Sequence, residues 1–139
     1  VRGAVLEVLN PPPYDPDNIS DRAAMVGAVA DMLLGMGAME EDATWTRYRV
    51  LYVPVLDTGR VCVRIPVVRG RPSRPWGTVE SEWGVWTIQL TYRVRVDDHD
   101  RIIHQRDVRL KGDIPGIVRR VRSAVLEGIG QVKASILTE

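Results

Sequence analysis

Apolar positions along the chain follow two rhythms. The first segment with a period of three to four begins near Asn18. Ile19, Ala23, Val26, Ala30, Leu33 and Gly37 fall in one row, and Met25, Val29, Met32 and Met36 fall in a second row beside it. This spacing predicts a helix capped by Asn18 or Ser20, with Asp21 in its first turn. Only a thin stripe through Ala24, Ala28, Asp31 and Gly35 is small or polar. So wide an apolar surface calls for cover on more than one side, from its own fold or from another subunit. Gly35 and Gly37 end the helix, and Glu40, Glu41 and Asp42 read as a solvated turn.

The rhythm then changes to two. Thr44 to Leu56 alternates, with Thr46, Tyr48, Val50, Tyr52 and Leu56 on one face and Trp45, Arg47 and Arg49 on the other. Asp57, Thr58 and Gly59 supply a hairpin turn. Arg60 to Arg69 returns with Val61, Val63, Ile65 and Val67 inward and Cys62 and Arg64 outward. The alternation is cleanest from Trp83 to Val96. Trp86, Ile88, Leu90, Tyr92, Val94 and Val96 share one face, and Thr87, Gln89, Thr91, Arg93 and Arg95 share the other. Asp97, Asp98, His99 and Asp100 turn the chain. Arg101 to Leu110 comes back with Ile102, Val108 and Leu110 inward.

The helical period resumes after Asp113, a cap with Pro115 in the first turn, where its missing donor is harmless. Ile114, Ile117 or Val118, Val121, Val125, Ile129, Val132 and Ile136 make one stripe. The order helix, hairpin, hairpin, helix predicts an α+β domain over 1–139. It has a four-stranded antiparallel sheet whose single apolar face is covered by both helices. Pro11 to Pro13 makes 1–17 an extended leader, and the Pro, Arg and Gly content of 70–82 makes that segment a protruding loop.

Composition narrows the class. With 139 residues, 45% hydrophobic and 27% charged, the chain has globular values. The 19 basic and 18 acidic residues nearly cancel, which argues against a coat for polyanions that works by bulk charge. Seventeen of the 19 are arginines. The single cysteine cannot form an internal disulfide. No secretory leader pattern is evident at the start, and the longest apolar stretch, Ala23 to Met39, contains Asp31 and is a poor membrane span. A virion or cytoplasmic location is expected, with no membrane partner.

Reactive groups are sparse. His99 and His104 are the only histidines, and no zinc-ligand spacing occurs. Cys62 has no base beside it in sequence. Neither a nucleophile elbow nor a glycine-rich phosphate loop is present. No catalytic residue, cofactor or metal is therefore expected. The carboxylates of Asp97, Asp98 and Asp100 around His99 read as a hairpin tip. Arg69-Gly70-Arg71-Pro72 matches the four-residue core of the AT-hook, in which two arginines enter a narrow DNA minor groove.

By alternation Arg47, Arg49, Arg64, Arg93 and Arg95 share the polar sheet face. Guanidinium groups gathered without acids call for an anionic partner: nucleic acid, an acidic protein surface, or a neighbouring copy. With Arg71, Arg74 and Trp76 of the loop they form the candidate interaction surface.

Helix, two long hairpins and helix, from Asn18 to Glu139, resembles the architecture of bacteriophage tail-terminator and neck-ring proteins. The resemblance implies a virion structural protein that forms a homo-oligomeric ring, usually a hexamer, at the junction of tail and head. It also implies sheets that line the ring, loop residues Arg71, Arg74 and Trp76 that reach a neighbour, and further contacts with other particle proteins. Two other readings stay open. One is a small-molecule carrier or enzyme with a pocket among Trp45, Trp83, Trp86, Tyr48, Tyr52 and Tyr92. The other is a nucleic-acid-binding domain that uses the arginine face and the loop.

Overall fold

A computed structural model describes residues 19–41, 48–67 and 86–138. Helix α1 spans Ile19–Gly35 and is followed by β1 (Met39–Glu40), β2 (Tyr48–Val55), β3 (Gly59–Pro66), β4 (Trp86–Val96), β5 (His99–Leu110) and helix α2 (Ile114–Leu137). The strands form one antiparallel sheet in sequence order, β1-β2-β3-β4-β5. The sheet thus has five strands where the alternation predicts four. Met39 and Glu40, the second of them expected in a solvated turn, pair with Tyr52 and Leu51. Two residues are too short to display a period, so the added strand has no signature in the sequence. The proline-rich leader, the Asn18 cap and the 70–82 loop lie outside the described residues.

The start and stop signals of the helices act as their chemistry requires. At the end of α1, Gly37 adopts φ 92°, a backbone region that an L side chain resists. The Gly37 amide then donates to Leu34 O and the Ala38 amide to Leu33 O, both at 3.0 Å, which satisfies carbonyls the helix leaves open. At the start of α2, Asp113 Oδ1 accepts from the Gly116 amide at 2.8 Å, and Pro115 sits in the first turn.

Helix α2 is 24 residues long, about 36 Å at 1.5 Å per residue. That is enough to cross the sheet diagonally. Its amino-terminal half borders β5, and its far end places Val132 and Ile136 against Gly59 at the start of β3. Midway, Gly128 leaves room for the Tyr92 ring of β4. A Cβ at Gly128 would stand 2.5 Å from Tyr92 Cε1. Helix α1 packs beside α2, over β2. Met25, Val29, Ala30 and Leu33 of α1 and Ile117, Val121 and Val125 of α2 are fully buried on Leu51, Val61, Val63, Ile65, Ile88, Leu90 and Leu110 of the sheet. Each of these side chains larger than alanine contributes about 1.5–3 kcal/mol by leaving water. Both helices therefore cover one face, as expected. The enclosure of α1 is incomplete, however: Ala23, Ala24, Asp31 and Leu34 are exposed.

Four strand assignments need correction. In β2 the covered set is Leu51, Val53 and Val55, so Tyr48, Val50 and Tyr52 lie on the opposite, outer face. Both sets are apolar, and alternation alone could not say which turns inward. Leu56, expected to continue the strand, is an exposed turn residue with φ 54°. The second turn is only Asp97 and Asp98, both at positive φ, the signature of a two-residue type I′ hairpin. Strand β5 consequently begins at His99. Finally, Ile102, expected inward, is 48% exposed. The ladder pairs Tyr92 with His104 but Arg93 with Ile102, so an extra residue is accommodated there. This bulge reverses the face of every β5 side chain before it.

Candidate interaction surface

The outer face of the sheet is tiled in rows by the register. Val50, Arg64, Gln89 and Asp107 stand across from one another, and so do Tyr52, Cys62, Thr91 and Gln105. Next comes the row Pro54, Arg60, Arg93 and Ile102. The β2 end of the face is apolar and aromatic, and the β3–β5 end is polar and basic. No described element covers it.

Arg64, Arg93 and Arg95 lie on this face, as the alternation predicts. Arg49 does not. It shares parity with Leu51 on the helix-covered side, where it forms a two-pronged pair with Glu40 of β1 at 2.7 and 2.8 Å. That fork holds the Glu40 carboxyl below its ordinary pKa and Arg49 above its own. Alternation puts Arg49 on the outer face, and the structure puts it on the covered one for the same reason that it turns Tyr48 and Tyr52 outward. Arg47, Arg71, Arg74 and Trp76 lie outside the described residues, as does the Arg69–Pro72 match.

The outer arginines also have partners in their own chain. Asp100 accepts from Arg60 and, at 3.3 Å, from Arg93. Partial desolvation opposes ionisation of Asp100. The Arg60 charge and the hydrogen bonds from both arginines outweigh it, and the carboxyl stays below its ordinary value. The acid of the second hairpin thus neutralises charge that alternation alone left unmatched. Alternation could not have found it, because Asp100 was placed in a turn. Arg64 stacks over the Tyr48 ring, 3.8 Å from its centre, and Arg60 lies 5.8 Å from that of Tyr52. Arg95 is exposed at the end of β4.

Cys62 is buried between these rows. Burial pushes its thiol up, against the pull of Arg60 and Arg93, so it is a poor nucleophile at neutral pH. The tyrosines proposed to line a pocket do not converge. Tyr92 is buried under α2 against His104, ring centres 5.4 Å apart, whereas Tyr48 and Tyr52 face the other way. Trp45, Trp83 and the side chain of Trp86 lie outside the described residues.

The two lateral edges of the sheet differ from its faces. Strand β5 is the outermost strand on one side, 12 residues long and exposed at most positions. A shallow, open groove of about 450 Å³ runs between it and α2, lined in part by Arg106, Arg119, Arg120, Ser123 and Glu127. Arg106 pairs with Glu127 at 3.0 Å, and Arg120 donates to Lys111 O. On the other side the edge is β1, with Met39 53% exposed and Leu34 of α1 close in sequence and 44% exposed.

Among the described residues no group of three His, Cys, Asp or Glu is placed to hold a metal ion. No described helix is long and apolar enough to cross a membrane. Comparison with protein-family models, curated proteins and solved structures gave no match.

Proposed function

We propose that this chain is a structural assembly protein that joins copies of itself into a ring, in the manner of a bacteriophage tail terminator or neck ring. The observation that carries this reading is an open sheet with one face closed by its own helices and a long strand left at its margin. An antiparallel sheet needs only one covered face to be stable. An edge strand of 12 residues is a liability for a solitary molecule, because its outward N–H and C=O groups template pairing with another chain. Natural proteins keep such edges short, bulged or covered. Here β5 carries one bulge and abundant charge, which suppresses indiscriminate pairing and leaves a specific contact available. The exposed Leu34, Met39 and Ile102 supply apolar area at the two lateral margins.

In this reading lateral contacts close the ring. The outer face, with Arg64 and Arg95, turns to the bore or to other particle proteins. Work in a virion, or in the cytoplasm where one is assembled, follows from the same reading. Mass measurement in solution tests it. A discrete oligomer of the 15.6 kDa chain is expected at micromolar concentration. A single-chain mass at every concentration overturns the reading.

A further inference from the structure

The two lateral margins of the sheet carry opposite charge, and we infer that the β5–α2 margin of one copy seats against the α1–β1 margin of the next. Between positions 99 and 122, on β5 and the first half of α2, the chain has seven basic residues against three acids, Asp100, Asp107 and Asp113. Arg101, Arg119 and Arg120 are exposed there. Between positions 19 and 41, on α1 and β1, it has four acids, Asp21, Asp31, Glu40 and Glu41, against Arg22, with Arg49 of β2 paired to Glu40. Asp31 and Glu41 are exposed. The strand order puts β1 and β5 at opposite ends of the sheet, and α1 lies over the β1–β2 end of the helix layer. The near-neutral balance of the whole chain therefore hides a charge separation along the axis of the sheet.

That separation decides the symmetry. Two copies related by a twofold axis would bring like margins together, and both pairings repel. Head-to-tail contact brings unlike margins together, steers encounter and fixes orientation. A head-to-tail contact repeated around an axis closes into a ring where the rotation returns to its start, and otherwise runs on as a helical filament. Exposed apolar groups accompany the charge on both sides, Leu34 and Met39 on the acidic margin and Ile102 on the basic one. This inference rests on the assembly reading above and names its partner surface.

Charge reversal tests it. In one variant Arg101→Glu, Arg119→Glu and Arg120→Glu leave four basic residues against six acids there, so both margins are acidic. In the other Asp31→Lys and Glu41→Lys make both basic. Each variant alone is expected to lose self-association at least tenfold. An equimolar mixture is expected to recover it, because each reversed margin finds its complement on the other variant. Both sets of changes in one chain should also restore assembly. The native mass is also expected to fall as salt rises from 0.1 to 1 M, where screening shortens from about 10 to 3 Å. This readout needs no variant and stands if one fails to fold.

A native oligomer that survives both reversals and high salt overturns the paired margins but leaves the assembly reading intact. A native monomer overturns both. A native monomer retained on a DNA duplex at low salt, and released by the Arg101, Arg119 and Arg120 changes, assigns the basic margin to nucleic acid and overturns the inference.

Discussion

The two faces of the sheet hold the same strands to different standards. Under the helices every described strand position that meets the core is apolar, and no polar or charged residue is buried among the described residues. On the opposite face half-buried tyrosines and threonines stand among arginines and two acids, Asp100 and Asp107, and the pairing is partial, since Arg60 Nε and Arg93 Nε find no partner. The covered face tolerates little, since its packing leaves no room for an added or missing group. The outer face and the margins tolerate much, which is where a protein has freedom to meet others. Stability and recognition are thus divided between surfaces of one small domain.

The sharpest way to break this contrast is to empty the covered face. Leu90→Ala removes a fully buried side chain from the centre of β4 and should cost about 2–5 kcal/mol. Its sequence neighbour on the outer face, Thr91→Ala, should cost within about 0.5 kcal/mol. Denaturant unfolding of the pair checks this, and equal losses would erase the distinction. A smaller effect comes from adding an atom. Gly128→Ala drives a Cβ into the Tyr92 ring and should cost about 1–3 kcal/mol, partly offset by about 1 kcal/mol of helix propensity. Combining it with Tyr92→Leu should cost less than the two changes summed, a coupling that thermal unfolding of the four proteins measures.

The smallest effect belongs to the outer face. Asp100 has its pKa lowered by folding, so its stabilising contribution is complete above the unfolded value near 3.9. It is lost as pH falls through the lower folded value. Asp100→Asn should therefore lower stability by less than about 1 kcal/mol at pH 7, with the gap closing in acid. A gap that widens as pH falls below the unfolded value would show that Asp100 acts other than through its charge.

Legibility in the sequence followed the same division. Strand β4 was readable because only one of its alternating sets is apolar, and α2 because its cap, its proline and its stripe all agree. Strand β2 was not, since Tyr48, Val50 and Tyr52 are as apolar as Leu51, Val53 and Val55. With that parity reversed, Arg49 was misplaced along with the tyrosines. The β5 bulge shifted Ile102 outward because alternation assumes an unbroken ladder. The candidate surface was half legible. Arg64, Arg93 and Arg95 stand where alternation puts them, but Asp100, which answers Arg60 and Arg93, could be found only by pairing the strands. The charge separation between the margins depends on strand order, which no local pattern contains.

The claim that copies meet margin to margin, leaving the outer face free, is open to side-chain oxidation footprinting across a range of protein concentrations. Assembly should protect Met39 on β1 and His104 on β5 as concentration rises, while Tyr48 and Tyr52 stay as reactive as in the dilute protein. Protection of Tyr48 and Tyr52 with Met39 and His104 unchanged would contradict the account, because it would make the outer face, not the margins, the surface that joins one copy to the next.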